Sequence, residues 1–162
     1  MPPKTLKICS FNVSSIRARV TLILDWLSHR GNDLDILCFQ ELKATLEDFP
    51  LTAFEERGYS CAIWGQKGYN GVATSSKVPP LAVQRGFAGK TEGDDSRIIT
   101  TFFPEFTLIN IYAPHGGEPG SKKWWNYSLG RKFPAGINLY RHFFNSALSS
   151  RSRSRSRIAS RF

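Results

Sequence analysis

Short apolar runs of β-strand length, several of which end abruptly in polar residues, dominate the first 116 residues of the chain. The first run, Lys7–Val13, alternates apolar and polar residues, as expected of a strand with one buried face. The second, Asp35–Gln40, is compactly apolar, as expected of a strand covered on both faces. Such a chain must fold around a sheet, and the polar residues at the strand ends must lie on its rim, where a rigid backbone can aim several side chains at one point.

The remaining elements follow from periodicity and turn residues. Helical spacing of apolar residues predicts a helix over Ile16–Arg30, and Gly31 and Asn32 stop it. Further β-rich runs cover Tyr59–Trp64, Gly71–Ser75, Arg97–Phe103 and Phe106–Tyr112. We expect the last two runs to form an antiparallel hairpin, whereas Leu46–Phe54, which Pro50 interrupts, is ambiguous. The predicted class is α/β (α+β) with a mixed, largely antiparallel sheet.

The net charge of the chain is unevenly distributed. Residues 1–121 contain 12 Lys and Arg against 13 Asp and Glu, whereas residues 122–162 contain 10 Lys and Arg and no acidic residue. The formal net charge of +9 therefore comes wholly from the last quarter of the chain. A strongly basic balance would ordinarily indicate nucleic-acid binding, but here it describes a tail and not a domain.

The tail also differs from the rest of the chain in its pattern. After about Ser121 no helix or strand period persists, and residues 149–157 form a like-charged arginine–serine tract. Such low-complexity tracts are expected to be disordered. The tract could bind RNA or be phosphorylated, or it could come from out-of-frame or read-through translation. We favour out-of-frame or read-through translation, because the whole segment, and not only the tract, is atypical in having no acidic residue.

Three cysteines, Cys9, Cys38 and Cys61, lie in apolar stretches at spacings unlike those of a zinc site. We interpret them as buried free thiols in a reducing compartment. No apolar run approaches the length of a membrane span, and the N-terminus lacks the pattern of a signal peptide. We therefore expect a soluble intracellular protein without a membrane partner, in the cytoplasm, nucleoid or nucleus, and of unknown oligomeric state.

Three strand-end residues could carry chemistry. Glu41 follows a buried run, where a carboxylate is costly unless it is exposed or paired with a cation; Mg²⁺ is such a partner, and a solvated acid is the alternative. Asn12 has a carboxamide that can donate or accept a hydrogen bond, or that simply ends the strand in a turn. Tyr112 could donate to a phosphate oxygen or orient a water molecule, or it could be a core tyrosine.

Four segments in chain order resemble the exonuclease III-like family of Mg²⁺-dependent DNA-repair nucleases, within the endonuclease/exonuclease/phosphatase superfamily. The segments are Phe11-Asn12-Val13, Cys38-Phe39-Gln40-Glu41, Gly68-Tyr69-Asn70-Gly71 and Asn110-Ile111-Tyr112-Ala113-Pro114. Each is weak alone, but together they are specific, and the match runs from about Lys7 to Lys123. The resemblance implies a four-layer α/β sandwich whose two sheets pack face to face, with the site at their shared rim.

The resemblance also implies roles for individual residues. Glu41 would hold Mg²⁺ or Mn²⁺, and Asn12 would lie beside the metal and the catalytic groups. Tyr112 would contact the phosphate and take part in catalysis together with Asn12. Asn70, in a turn that shapes the DNA-facing rim in the family, and Arg17 would bind substrate; an ordinary Asn-Gly hairpin turn and a solvated helix face are the alternatives.

The chain departs from the family pattern in two respects. Ser14 stands where the family usually has a second Asn or an Asp, which weakens one outer contact near the metal. The family's Gly-Asp-Phe-Asn segment, which supplies the catalytic Asp, and its terminal Asp-His pair do not occur. We therefore expect residues 1–121 to be the N-terminal part of the family domain, with its C-terminal half missing, and residues 122–162 to be an unrelated tail. An apolar sheet face would then be exposed.

The resemblance implies hydrolysis of the backbone of double-stranded DNA at abasic sites and 3′ ends. Because the Asp-Asn and Asp-His motifs do not occur, we expect this chain to be inactive on abasic-site DNA. A second hypothesis is a non-catalytic nucleic-acid-binding protein that uses its arginine–serine tail, with salt-dependent binding. A third is another phosphodiesterase of the superfamily, acting on a lipid or inositol phosphate.

Overall fold

The computed structural model of the chain describes residues 5–30, 33–86 and 96–114. Its helices and strands all lie in one compact unit, Met1–Tyr112. In chain order they are β1 (Ile8–Asn12), α1 (Ile16–Arg30), β2 (Ile36–Gln40), α2 (Leu51–Glu55), β3 (Ser60–Trp64), β4 (Val72–Ser76), β5 (Ala82–Arg85), β6 (Ile98–Phe102) and β7 (Thr107–Ile111).

The first sheet has the strand order β1-β2-β4-β3. Strands β1 and β2 run parallel, and β4 is antiparallel to both β2 and β3. A parallel pair needs a crossover connection, which α1 supplies. The register pairs Asn12 with Gln40 and Gln40 with Val72, so the ends of β1 and β2 and the start of β4 meet at one edge of this sheet.

The second sheet has three antiparallel strands in the order β5-β6-β7. The antiparallel pairing of β6 and β7, which are joined by residues 103–106, confirms the predicted hairpin. The sheet packs on the first through contacts of β6 with β3 and β4, and of β7 with β2 and β4. The mixed α/β class with two packed sheets is therefore confirmed.

Strand β2 is buried on both faces, as its continuous apolar run predicts. Leu37 and Phe39 belong to the core cluster that α1 covers, whereas Ile36 and Cys38 pack against Phe103. We expected an apolar sheet face to be exposed, but at β2, β3 and β4 the sheet of β5–β7 packs against the first sheet. At β1 the first sheet is less covered, as the 45% exposure of Ile8 shows.

Helix α1 has the predicted bounds because its apolar residues recur with helical spacing. Ile16, Ile23 and Leu27 are almost completely buried in the core cluster that contains Phe39. Removing such a side chain from water contributes about 1.5–3 kcal/mol to the stability of the folded chain. This buried stripe holds the start of α1 against the first sheet, directly after the loop that follows Asn12.

The three cysteines form no disulfide, as predicted. Only Cys38 is buried, whereas Cys9 and Cys61 are partly exposed, so the predicted burial is wrong for these two. Burial raises the pKa of Cys38 and of Cys61 to about 11. Both groups therefore stay protonated at neutral pH, and a protonated thiol is a poor nucleophile and metal ligand. The reducing compartment stays a prediction.

Among the residues that the structure describes, no helix has the length and apolar character needed to cross a bilayer. The arginine–serine tract and the rest of the predicted tail, residues 122–162, lie outside the described residues. The boundary at residue 121 stays a prediction.

Candidate active site

Three side chains from separate strand ends meet at one carboxylate. Asn12 at the end of β1 donates from Nδ2 to Oε1 of Glu41 at 2.9 Å. Tyr112, which follows β7, donates its hydroxyl to the same oxygen at 2.7 Å. The parallel arrangement of β1 and β2 places Asn12 beside Glu41, and the second sheet brings Tyr112 from 71 residues away. The structure thus brings together the three residues that the strand-end pattern singles out.

Lys43 is a fourth member of this site, which the sequence analysis did not assign. Its Nζ lies 3.2 Å from Oε2 of Glu41 and donates to Oγ of Ser14 at 3.2 Å. We call Asn12, Ser14, Glu41, Lys43 and Tyr112 the Glu41 cluster. A positive residue two positions after the candidate ligand was the available signal, but spacing alone does not show that the turn brings its ammonium group back to the carboxylate.

The loop after β2 has an unusual backbone that aims these groups. Glu41 and Lys43 adopt φ values of 55° and 52°. Ser14, in the loop between β1 and α1, adopts a φ of 43°. Residues other than glycine rarely adopt this left-handed backbone conformation. It costs about 1–3 kcal/mol per residue, and such residues cluster at functional sites. Hydrogen bonds to the neighbouring loops hold the conformation, because the amides of Leu42 and Lys43 donate to the carbonyl oxygens of Gly71 and Asn70 at 3.1 and 3.0 Å.

The environment keeps Glu41 ionised. The hydrogen bond from Asn12 lowers the pKa of the Glu41 carboxyl most strongly; burial acts in the opposite direction, and Tyr112 and Lys43 lower the pKa further. The side chain is 19% exposed, so one side of the carboxylate remains open to solvent. Glu41 is therefore a charged, pre-oriented carboxylate at neutral pH.

A buried pair of amides positions the strand that carries Tyr112. Gln40 donates from Nε2 to Oδ1 of Asn110 at 2.8 Å, and Asn110 donates from Nδ2 to the carbonyl oxygens of Ala73 and Phe39 at 2.8 and 3.2 Å. Asn110 is 3% exposed and Gln40 8%. These bonds fix β7 on the first sheet two residues before Tyr112. Polar residues within apolar strands were the available sequence signal.

Asn70 lies in the loop of residues 65–71 between β3 and β4, and not in a two-residue hairpin turn. Its Nδ2 donates to Oε1 of Gln66 at 3.1 Å, and the same oxygen accepts from the amide of Ser96 at 3.2 Å. The side chain is 9% exposed. These contacts hold the Asn70 side chain, while its carbonyl oxygen accepts from the amide of Lys43. Its assignment to substrate binding stays a prediction.

The other assigned residues have the following contacts. Arg17, in the first turn of α1, pairs through Nη1 with Oδ1 of Asp48 at 3.4 Å and is 60% exposed. Its substrate-binding role stays a prediction.

Asn12 uses both ends of its carboxamide, because Oδ1 accepts from the amide of Ser14 at 3.1 Å while Nδ2 donates to Glu41. This geometry favours Asn12 as a residue that orients the carboxylate, and direct metal ligation by Asn12 stays a prediction.

The donor atoms of the Glu41 cluster fit a hard divalent cation. Within the described ranges, no group of three or more His, Cys, Asp and Glu side chains could hold a metal ion. A zinc or transition-metal cage is therefore not formed by these residues. Mg²⁺, however, commonly keeps several waters and uses one or two protein carboxylates, which the single ionised carboxylate of Glu41 satisfies.

Gly71 provides a test of how the loops support the site. A Cβ at Gly71 would lie 2.8 Å from Cβ of Leu42, and its φ is +88°. We expect Gly71→Ala to destabilise the fold by about 2–3 kcal/mol, because left-handed strain and the clash add together. Gly58, with φ +78° and nothing within 4 Å of a Cβ, is the matched control, and Gly58→Ala should cost about 1–2 kcal/mol. Equal losses in urea unfolding would contradict the clash.

Comparison with known proteins places this arrangement in a family. A sequence model of the endonuclease/exonuclease/phosphatase family matches residues 9–158. The chain is 36% identical over 118 residues to DNA repair nuclease APEX1 of Danio rerio, covering 70% of this chain and 37% of that protein. It is also 36% identical over 139 residues to exodeoxyribonuclease III of Haemophilus influenzae, covering 83% of this chain and 48% of that protein.

Comparison with solved structures agrees with the sequence comparison. A solved AP endonuclease structure from Archaeoglobus fulgidus superposes with a TM-score of 0.68 at 37% sequence identity, covering 76% of this chain and 47% of that one. The chain thus spans less than half the length of the relatives that it matches. The family match, the sequence identities and the shared fold agree: the chain belongs to the endonuclease/exonuclease/phosphatase family, within which it is similar to an exodeoxyribonuclease III and to an AP endonuclease.

Proposed function

We propose that this chain carries the metal-holding and phosphate-contacting part of a Mg²⁺-dependent DNA-repair nuclease that acts on double-stranded DNA at abasic sites and 3′ ends. The observation that carries the proposal is the convergence of Asn12 and Tyr112 on Oε1 of Glu41, at 2.9 and 2.7 Å. Two neutral donors on one oxygen leave the carboxylate charged and fixed in direction, with Oε2 turned to the cationic side of the site.

Each residue of the site has a distinct task in this proposal. Glu41 holds the cation, which when bound polarises a phosphate oxygen and neutralises its developing charge. Asn12 orients the Glu41 carboxylate through its Nδ2. Tyr112 donates to the same oxygen, and in the proposal its hydroxyl donates to a phosphate oxygen of the substrate instead.

DNA is the proposed substrate because the relatives are named as a DNA repair nuclease and an exodeoxyribonuclease. The residues that activate the attacking water are the part of the reaction for which this sequence offers no candidate. No Gly-Asp-Phe-Asn segment occurs, and no acidic residue follows Glu118. We therefore expect the 162-residue chain to bind metal and abasic-site DNA without cleaving it.

The test measures metal-dependent discrimination and not binding alone. Fluorescence anisotropy would compare an abasic-site duplex with the intact duplex, with and without Mg²⁺, at about 0.2 M salt to suppress non-specific attraction by the ten basic residues after position 121. We expect the preference for the abasic duplex to require Mg²⁺ and to be lost in Glu41→Gln. A preference that does not depend on Mg²⁺, or that survives in Glu41→Gln, would contradict the proposal.

Product formation in the same samples tests the expected inactivity. Cleavage by the wild-type chain that Glu41→Gln abolishes would overturn the expected inactivity while supporting the nuclease assignment. Salt-sensitive binding that ignores the abasic site would instead favour a non-catalytic nucleic-acid-binding protein.

A further inference from the structure

The ammonium group of Lys43 has no task in the proposed function, although it is the cation that Glu41 contacts. Its Nζ lies 3.2 Å from Oε2 of Glu41 and 3.2 Å from Oγ of Ser14. The lysine side chain is 35% exposed, so the pair lies at the border of solvent. Water therefore screens the attraction only in part.

The two oxygens of Glu41 have different kinds of partner. Oε1 accepts hydrogen bonds from two neutral groups, the amide of Asn12 and the hydroxyl of Tyr112. A carboxylate oxygen offers about two lone-pair directions, and on Oε1 both are used. A cation that approaches Glu41 therefore binds at Oε2, which is the oxygen that Lys43 contacts.

The backbone holds Lys43 in place while its side chain stays able to move. The amide of Lys43 donates to the carbonyl oxygen of Asn70 at 3.0 Å, and φ is +52°. The ammonium group stands at the end of a flexible four-carbon stem, so it can leave Oε2 by changes in side-chain dihedral angles alone. Ser14 offers only a neutral hydroxyl, which holds an ammonium group more weakly than a carboxylate would.

We propose that Lys43 is a built-in counter-ion that occupies the cation-binding oxygen of Glu41 in the metal-free chain and must leave it when a divalent cation binds. This inference rests on the proposed function, since it takes Glu41 as the metal ligand. Lys43 acts as a positioning residue: it keeps the carboxylate aimed while no metal is bound, and it sets the metal affinity by competing for Oε2.

The first test is Mn²⁺ affinity, measured by electron paramagnetic resonance or calorimetry on the full 162-residue chain. We expect Lys43→Met, which keeps the length of the side chain and removes its charge, to bind Mn²⁺ about three- to tenfold more tightly than wild type. Lys43→Arg keeps the charge and should bind within about twofold of wild type, or more weakly.

Lys77→Met is the matched control for the loss of a positive charge. Strand β4 begins at Val72, which pairs with Gln40, the residue before Glu41. Lys77 comes directly after the other end of this strand. Five residues of strand span about 17 Å, which exceeds the Debye length of about 10 Å at 0.1 M salt. Lys77→Met should therefore leave the Mn²⁺ affinity unchanged.

The second test observes Lys43 directly. Brief acetylation followed by mass spectrometry reports the accessibility of each lysine amine. We expect Mg²⁺ to raise the labelling of Lys43 relative to Lys77, with a midpoint that follows the metal titration, and we expect no such change in Glu41→Gln. An effect of the charge on affinity without displacement would not change this labelling.

The outcomes separate this inference from the proposed function. If the wild-type chain binds no Mn²⁺, or if Glu41→Gln binds it equally well, the metal site itself is contradicted. If Glu41→Gln loses Mn²⁺ while Lys43→Met binds no more tightly than wild type, or if Lys43 labelling ignores Mg²⁺, the counter-ion role is overturned and the metal site stands.

Discussion

Glu41→Gln is expected to weaken Mn²⁺ or Mg²⁺ binding by about a hundredfold or more, because it removes the only ionised carboxylate of the Glu41 cluster while keeping the shape of the side chain. The amide oxygen of the new residue can still accept from Asn12 and Tyr112, which limits the structural damage. Its neutral amide group would instead face Lys43, where Oε2 now lies at 3.2 Å. Calorimetric titration with Mn²⁺ measures the effect.

Glu47→Gln is the matched control, since Glu47 is an acid in the same loop region that takes no part in the cluster. It should bind Mn²⁺ as wild type does. If both variants lose Mn²⁺ binding equally, the metal is attracted by the net charge of the chain and not bound by Glu41. The assignment of Glu41 as the metal ligand is then contradicted.

The pH dependence of stability tests the ionisation of Glu41 without any metal. The pKa of the Glu41 carboxyl lies below its ordinary value of 4.5 in the folded chain, chiefly because of the Asn12 hydrogen bond. The stabilisation from the charged group is therefore complete above pH 4.5 and is lost as the pH falls through the lower folded-state pKa. We expect Glu41→Gln to lack this part of the acid destabilisation, which urea unfolding between pH 6 and pH 3 would show.

Most of the fold could be predicted from periodicity because burial dictates it. The apolar stripe of Ile16, Ile23 and Leu27 sets α1, and the unbroken apolar run of β2 requires cover on both faces. The four-residue strand β5 could not be predicted, since Ala82–Arg85 carries only two apolar residues and forms a strand through its pairing with β6. Its structure depends on a partner that lies distant in the sequence.

The site divides in the same way. The convergence of Asn12, Glu41 and Tyr112 could be expected from polar residues at strand ends together with the family resemblance. The position of Lys43 could not, because it depends on left-handed backbone at Glu41 and at Lys43 itself, which the hydrogen bonds of a distant loop impose. Sequence patterns report which residues are available, whereas the direction of a side chain after a strained turn is decided by tertiary contacts.

Asn110→Leu is expected to cause a large loss of stability, about 3 kcal/mol, and to lower the unfolding temperature by roughly 10–20 °C. Asn110 bridges the two sheets with three hydrogen bonds, to Gln40 and to the carbonyl oxygens of Phe39 and Ala73. Leucine is larger than asparagine and leaves no cavity, so the loss comes from buried polar groups left without partners and from overpacking at this buried site. Thermal unfolding followed by circular dichroism measures it.

Two variants show whether the buried amide pair is the cause. Thr107→Ala, at an exposed position of the same strand, should change stability by less than about 0.5 kcal/mol. The double variant Gln40→Leu/Asn110→Leu should lose less stability than the sum of the losses in the two single variants, because either single change already breaks the hydrogen bond between the two amides. In Asn110→Leu, Gln40 keeps its hydrogen bonds to Oγ of Ser10 and to the carbonyl oxygen of Cys38. Additive losses in the double variant would mean that the two amides stabilise the fold independently, and that Asn110 does not position Tyr112 through Gln40.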